Sequence, residues 1–551
     1  MTTGSELLEP EVWTTQLTPL SFLARSAVVH ADRAALVHGD LTATYSELAV
    51  EVERRARMLR AVGIGPGDRV AYLMPNVPEM LYAHFAVPLA GGVLVAINTR
   101  LAPAEVEYIL DHSGASVLVV DSESLPTIGP IAGSLRTVRT IAVVSETADG
   151  EHHVELPGSV TIDHLLREGE SDQSPLDWSV RDENSPISIN YTSGTTGRPK
   201  GVVYTHRGAY LSALGGVVHS KFHDHCVYLW TLPMFHCNGW CTTWAVVAAG
   251  GTQVCLREVR GERIWNLIDR YRVTHLSGAP TVVTTILTDS AAHQIDHPVI
   301  ITVAGAPPSP TTLAEAEAMG FSVVHVYGLT ETYGPYTVCV SKDSWQSLAT
   351  EQRAKLTARQ GVAMLQADRV RVIDPTRNGP LVDVPADGQT LGEIVMRGNS
   401  VMRGYHRDEA ATAAAFAGGW FHSGDLGVMH PDGYIELRDR AKDVIVSGGE
   451  NISTVEVEHA IASHVDVLEV AVIGVPDDDW GERPKAFVVA RQGRAVDEPQ
   501  IREYLRSQIA RYKVPRDIVV VTELPKTSTG KVQKFELRER EWAGEAARVR
   551  G

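Results

Sequence analysis

Residues Tyr191–Gly201 read YTSGTTGRPKG, a stretch that neither a helix nor a strand can absorb. Its eleven positions hold three glycines, four hydroxyl residues (Thr192, Ser193, Thr195, Thr196), Arg198 and Lys200. Ile187–Asn190 before it alternates apolar and polar residues, and Val202-Val203-Tyr204 after it is apolar, so both flanks read as strands. Glycine lets backbone N–H groups turn inward and approach an anion closely. Hydroxyls add donors, and Lys200 adds a point positive charge. The segment therefore reads as a polyphosphate cradle made by Thr192, Ser193, Gly194, Thr195, Thr196, Gly197 and Lys200. It is not a Walker A loop, which needs G-x-x-x-x-G-K-[ST] opening a helix; here Pro199 precedes the lysine and Gly201 follows it. A polar surface hairpin is the plain alternative for any such loop, and the chemistry downstream outweighs it.

Strand and helix alternate around the loop. Thr44-Tyr45-Ser46 opens a helix with Leu48, Val52, Ala56 and Leu59 at helical spacing, and Gly63–Gly67 stops it. Arg69–Met74 reads as a buried strand, Pro78–Leu89 as a helix ended by Gly91-Gly92, and Val93–Ile97 and Ser116–Asp121 as further strands. This predicts an α/β domain on a largely parallel sheet. The polar, acidic residues 145–186 are expected to be a long loop within it, and the glycine-rich residues 380–424 a small β subdomain. After Val444 come a strand, the turn Ser447–Asn451, and a helix opened by a capping box of Ser453 and Glu456. Strands Val470–Val475, Lys485–Ala490 and Ile518–Val521 and a helix over Gln500–Ala510 complete a compact α+β module. A chain of 551 residues exceeds one core. We expect a large multi-subdomain N-terminal domain over 1–439 and a small C-terminal domain over 440–551.

Hydrophobic residues are 44% and charged residues 21%, as in ordinary globular proteins. The net charge is −17 with no basic run, which disfavours sequence-independent nucleic-acid binding. The N-terminus lacks the basic and apolar regions of a secretory signal. No apolar run reaches membrane-spanning length. AARVRG at the C-terminus is not an SKL-type address. Five scattered cysteines suggest free thiols in a reducing cytoplasm. His223-Asp224-His225 lacks a third metal ligand nearby and reads as a polar turn.

Further motifs follow in order. In LPMFHCNGW, His236 follows a strand. A lone histidine among aromatics is most often a satisfied core residue, but Gly239 and Trp240 beside it suit a pocket mouth. In TVAGAPPSP, Gly305, Ala306 and Pro307 form a bend that could lie flat against a purine. In VVHVYGLTETY, a buried strand ends at Tyr327-Gly328 with Thr330-Glu331 at its carboxyl end, where ligands gather in parallel α/β sheets. Asp425 sits in the glycine turn FHSGD, where it could be a simple turn former. Arg438–Asp443 holds five charges of both signs, as a solvated linker would, and the tail carries PKTSTGK.

Taken together, YTSGTTGRPKG, YGLTE, the FHSGD turn and PKTSTGK resemble the adenylate-forming superfamily of acyl-CoA synthetases, peptide-synthetase adenylation domains and luciferases. The likeness covers nearly the whole chain and is greatest to the acyl-CoA ligases. It implies that Tyr327 stacks on adenine, that Thr330 contacts the α-phosphate, and that Glu331 with Thr192 holds Mg²⁺. Asp425 would take both ribose hydroxyls, and Arg440 would contact ribose and phosphate. Lys442 would be the hinge about which the C-terminal domain turns, and Gly448 and Gly449 would approach CoA. Lys531 would bridge the acid and the α-phosphate. The family often has an arginine shortly after that lysine, where this chain has Gln533-Lys534. His236, Trp240, Gly305 and Tyr333, with Tyr336 nearby, would shape the acid pocket.

The implied function is an ATP- and Mg²⁺-dependent ligase that joins a carboxylic acid to CoA through an acyl-adenylate, as in fatty-acid metabolism. Short- and medium-chain and aryl acids are all open, and a homodimer is allowed for. The alternative is an adenylate-forming enzyme of a specialised pathway that passes the acid to a carrier protein or an amine. A nucleotide-binding regulator is disfavoured by the joint presence of Lys200, Glu331, Asp425, Arg440 and Lys531.

Overall fold

Every residue of helix Pro78–Leu89 is buried. A helix buried all round needs cover on all sides, and this one lies in the largest core, which also holds Tyr72, Trp230 and Trp244, with its Glu79 paired to Arg55. The computed structural model describes residues 14–145, 156–192, 198–306, 308–377, 379–447, 450–477, 480–527 and 530–542.

The first sheet has eight strands. Its parallel centre runs Pro186–Tyr191, Val93–Ile97, Arg69–Leu73, Ala115–Asp121 and Thr140–Val144. Gly201–Thr205 and Gly404–Tyr405 extend it antiparallel at one edge. The second sheet has nine strands, with a parallel centre of Thr252–Val254, Val227–Leu229, His275–Gly278, Val299–Val303 and Phe321–Leu329. A four-stranded antiparallel sheet follows, from Arg371–Ile373 to Ile435–Arg440. Thus the expected α/β architecture and the β subdomain are present.

The C-terminal module has a five-stranded sheet around the long pair Val467–Asp477 and Gly481–Ala490, with its own core of Ile445, Val457, Val472 and Ile501. Ser453 caps helix Thr454–Ala462 by accepting from Glu456 N at 3.1 Å. The expected reciprocal bond is replaced, because the Glu456 carboxylate takes Lys513 at 2.7 and 2.8 Å. One expectation needs correction. The segment 145–186 is not all loop: it carries helix Ile162–Gly169, packed on helix Tyr45–Ala61. Leu165 and Leu166 are its buried anchors.

Candidate active site

The strand pair Pro186–Tyr191 and Gly201–Thr205 brings the ends of the glycine-rich loop together, and Thr192 N donates to Lys200 O at 3.0 Å. Ser193, Gly194, Thr195, Thr196 and Gly197 lie outside the described residues. The Lys200 ammonium is exposed and stands 4.8 Å from the centre of the Tyr405 ring. The Tyr405 hydroxyl in turn donates to Glu331 Oε1 at 2.9 Å. Tyr405 thus ties the phosphate loop to Glu331, and the sequence reading missed it. Burial pushes the Glu331 carboxyl up from its usual range. A half-buried carboxylate beside an anion loop suits Mg²⁺, which takes one or two carboxylates plus phosphate oxygens.

Strand Phe321–Leu329 delivers Tyr327, Gly328 and Thr330 to one end of the second sheet. The Tyr327 hydroxyl donates to Asp425 Oδ2 at 2.7 Å, and Arg440 Nε lies 3.3 Å from Asp425 Oδ1. Asp425 and Arg440 face each other because they are register partners on neighbouring antiparallel strands. Three motifs read separately in the sequence are therefore one cluster. Gly305 and Ala306 follow the adjacent strand Val299–Val303; Pro307 lies outside the described residues.

Residues Cys237–Cys241 form a left-handed turn, with φ of 49°, 44°, 55°, 56° and 59° in succession. A non-glycine residue in this region costs about 1–2 kcal/mol, so something must hold the turn. Asn238 does. Its Oδ1 accepts from Ser188 Oγ at 2.5 Å and Asn190 Nδ2 at 2.7 Å, and its Nδ2 meets His84 Nε2 at 3.1 Å. His84 is fixed as the acceptor, since its Nδ1 meets Met80 O at 2.7 Å and burial pushes its pKa down to about 4. Only glycine fits at 239, where a Cβ would come within 2.6 Å of the Trp230 ring. The turn sets His236 at its entry and Trp240 at its end. His236 is neutral, its pKa held down to about 4 by burial first and then by Lys531. Cys237 Sγ approaches Thr330 Oγ1 at 3.3 Å, while Tyr204 OH donates to Thr330 O at 2.6 Å.

Lys531 arrives from the C-terminal tail, where Thr527 N bonds Lys531 O at 2.7 Å and Gly530 takes φ +81°. Gly530 touches the large domain: a Cβ there would collide with Thr281 at the start of helix Pro280–Thr288. Downstream, Lys534 and Arg538 pin the tail to Glu458 and Asp443 at 2.7 and 2.5 Å. Enclosure lowers the Lys531 pKa to about 7, helped by Arg440 and opposed by Asp425 and Asp443. Lys442 is lowered to about 8, again chiefly by burial. Gly448 and Gly449 lie outside the described residues.

Trp240 and Tyr333 line a cavity of about 20 Å³ together with Ser212, Thr242 and Gln366. The Tyr333 ring stacks on Tyr204 at 4.0 Å and its hydroxyl accepts from Thr205 N at 2.8 Å. Tyr336, expected nearby, is instead committed to the core, its hydroxyl 2.7 Å from Arg397 O and 2.8 Å from Asp368 O. His223-Asp224-His225 is a surface turn in which Asp224 pairs with Arg33 at 3.0 Å. Among the described residues no three His, Cys, Asp or Glu side chains gather as a metal site. The five cysteines are buried, and none forms a disulfide. No helix among the described residues is long and apolar enough to cross a membrane.

Comparison with known proteins agrees with this geometry. The sequence model of the AMP-binding enzyme family matches residues 23–406, and that of the AMP-binding enzyme C-terminal domain matches residues 456–531. An acetate–CoA ligase of Humulus lupulus is 43% identical over 543 residues, covering 95% of this chain and 94% of the relative. A peroxisomal acetate/butyrate–CoA ligase of Arabidopsis thaliana matches with the same identity over 543 residues, 95% of this chain and 94% of its own. The crystal structure of an anthranilate CoA ligase in complex with anthranoyl-AMP superimposes with a TM-score of 0.85 at 25% identity, over 96% of this chain and 98% of that one. A large nucleotide-binding domain with a small C-terminal domain that delivers a lysine to it, and these matches over nearly the whole length, place the chain in the AMP-binding enzyme family.

Proposed function

We propose that this adenylate-forming CoA ligase activates a small carboxylic acid with Mg²⁺·ATP and then moves the acyl group onto the CoA thiol. One observation carries the reading: the far end of the chain packs on the large domain at Gly530 and Thr281, which puts Lys531 in the field of Arg440 and Asp425 and His236 in the field of Lys531. In the first step an oxygen of the acid attacks the α-phosphorus, the bond to pyrophosphate breaks, and an acyl-adenylate forms. Positioning and charge stabilisation do most of this work. Thr330 and the protonated Lys531 face the charge that grows on the α-phosphate. Neutral His236 bounds the acid without pairing with its carboxylate. Tyr327 with Gly305, Ala306 and Pro307 flanks the adenine, and Asp425 and Arg440 hold the ribose. Thr192, Lys200 and the loop between them hold the departing pyrophosphate. Glu331, with Thr192, would hold Mg²⁺, which would offset the negative charge of the phosphates.

In the second step the thiol sulfur attacks the acyl carbon and AMP leaves. Lys531 must vacate the site. The domain over 440–551 therefore turns about Lys442 and brings Gly448-Gly449 toward CoA. The small cavity behind Trp240 favours short acids over long ones. The reading includes a cytoplasmic enzyme, in keeping with cysteines that form no disulfide. The test follows pyrophosphate release and acyl-CoA mass with ATP, Mg²⁺, CoA and straight-chain acids of two to five carbons. Both products are expected. Pyrophosphate without acyl-CoA would assign the second step to another acceptor.

A further inference from the structure

The cavity that would receive the acid's far end has an unusual wall. Ser212, Ser220, Thr242, Ser277, Thr302 and Gln366 contribute to it, and none of its described lining residues is charged. The sheet explains this polarity. Tyr228, Gln253 and His275 are register partners on three neighbouring parallel strands, so they share one face. Ser277 is two residues beyond His275, on that same face, and pairs with Thr302. A polar stripe therefore runs across the sheet to the cavity.

Several of these groups lack partners. Gln366 Oε1 and Tyr228 OH are buried with no hydrogen bond among the described residues, and His275 Nε2 has only the Ser220 backbone within reach. The other ends are engaged: Gln366 Nε2 reaches Met364 Sδ at 3.4 Å, and His275 Nδ1 meets Thr274 Oγ1 at 2.8 Å. The hydroxyls of Ser277 and Thr242 lie against the Tyr228 oxygen. Gln366 approaches so closely over helix His206–His219 that a Cβ on Gly215 would collide with it. Buried polar atoms without partners are rare in folded proteins and call for a polar occupant.

We infer that the cavity receives a hydroxyl at the far end of a small acid and discriminates against the alkyl acid of equal length. This rests on reading the site as acid-activating. A hydroxyl both donates and accepts, so it satisfies the Gln366 amide in either orientation. A cavity of about 20 Å³ holds about one water-sized group, and a charged terminus would find no counter-ion there. An apolar pocket separates CH₃ from OH only moderately, whereas a pocket built with hydrogen-bonding groups strongly rejects the analogue that lacks the partner.

The test compares pyrophosphate release from two matched pairs: 3-hydroxypropionate against butyrate, and 4-hydroxybutyrate against pentanoate. In at least one pair the hydroxy acid should exceed its alkyl partner in kcat/KM by about tenfold or more. Gln366→Met, which keeps the volume and removes the amide, should bring that ratio close to one. Alkyl acids equal or faster in both pairs overturn the inference and leave the CoA-ligase reading intact. A ratio that survives Gln366→Met overturns the assignment to this amide. Turnover of none of the four acids overturns this inference, and only if acetate is also inert does the acid-activation reading fall with it. The wild-type ratio decides the proposal even if the variant fails to fold.

Discussion

Asn190 and Asn238 hold each other by two hydrogen bonds: Asn190 Nδ2 donates to Asn238 Oδ1 at 2.7 Å, and Asn238 N donates to Asn190 Oδ1 at 3.1 Å. Asn190 stands on the strand that enters the phosphate loop, and Asn238 lies inside the left-handed turn between His236 and Trp240. One amide pair therefore sets the nucleotide end of the site against the acid end.

Asn238→Ala should lower pyrophosphate release by about 100-fold, the scale of a misplacement near 1 Å. It should also destabilise the fold by about 1–3 kcal/mol, through buried partners left unpaired at Ser188, Asn190 and His84. Asn238→Gly relieves the backbone but restores no bond, so it should be as slow. A fast glycine variant in the same assay would show that backbone freedom, not the network, sets the turn.

Gly530→Ala should hinder docking of the tail, because the new methyl group meets Thr281 and the backbone sits at φ +81°. Adenylate formation should fall by about tenfold or more, since strain of about 1–3 kcal/mol enters the docked state. Thr281→Gly in the same chain should recover part of the loss. No recovery in the double variant would remove Thr281 from the contact.

A lysine in water titrates near 10.5, and docked Lys531 near 7. Docking therefore expels a proton between these values. It strengthens as pH rises from 7 toward 10.5 and is weakest below 7, where the charged amine must be desolvated in full. ATP supplies the missing counter-charge and raises the lysine again. Calorimetry of ATP binding at pH 8.5, in buffers of different ionisation enthalpy, should show proton uptake. Lys531→Ala should reduce that uptake by close to one proton (about 0.5–1). Equal uptake in both proteins would contradict the lowered lysine.

Tyr405→Phe removes the hydroxyl that holds ionised Glu331. The Glu331 carboxyl, already raised by burial, should rise further. The acid limb of the pyrophosphate-release profile should then shift to higher pH, and half-saturation by Mg²⁺ should need about three- to tenfold more metal, as for a lost bond of about 1 kcal/mol. An unchanged Mg²⁺ titration would detach Tyr405 from the metal's carboxylate.

What the sequence reveals follows burial. Pro78–Leu89 and Val93–Ile97 have the ends expected of them, because wholly buried elements must be apolar runs bounded by glycine or proline. Helix Ile162–Gly169 escaped notice because it is short and lies in polar surroundings. In the site, Tyr327, Asp425 and Arg440 were legible as separate motifs, and the structure joins them. Asn238, Tyr405, Gln366 and Thr281 carried no local signal of their contacts, since each acts through partners far away in the chain. The left-handed turn is the sharpest case. Only Gly239 and Asn238 among its five residues suggest positive φ, and the buried amide network imposes the rest.

The central claim is that one lysine serves the first half-reaction and must leave for the second. Its most direct test measures the two half-reactions separately in Lys531→Ala and Lys442→Pro. Lys531→Ala should slow pyrophosphate release by about 100–1,000-fold, yet convert supplied acyl-adenylate and CoA to acyl-CoA within a few-fold of wild type. Lys442→Pro should show the reverse. If Lys531→Ala lost both half-reactions equally, the tail would not deliver a catalytic charge to the α-phosphate, and the account would be contradicted.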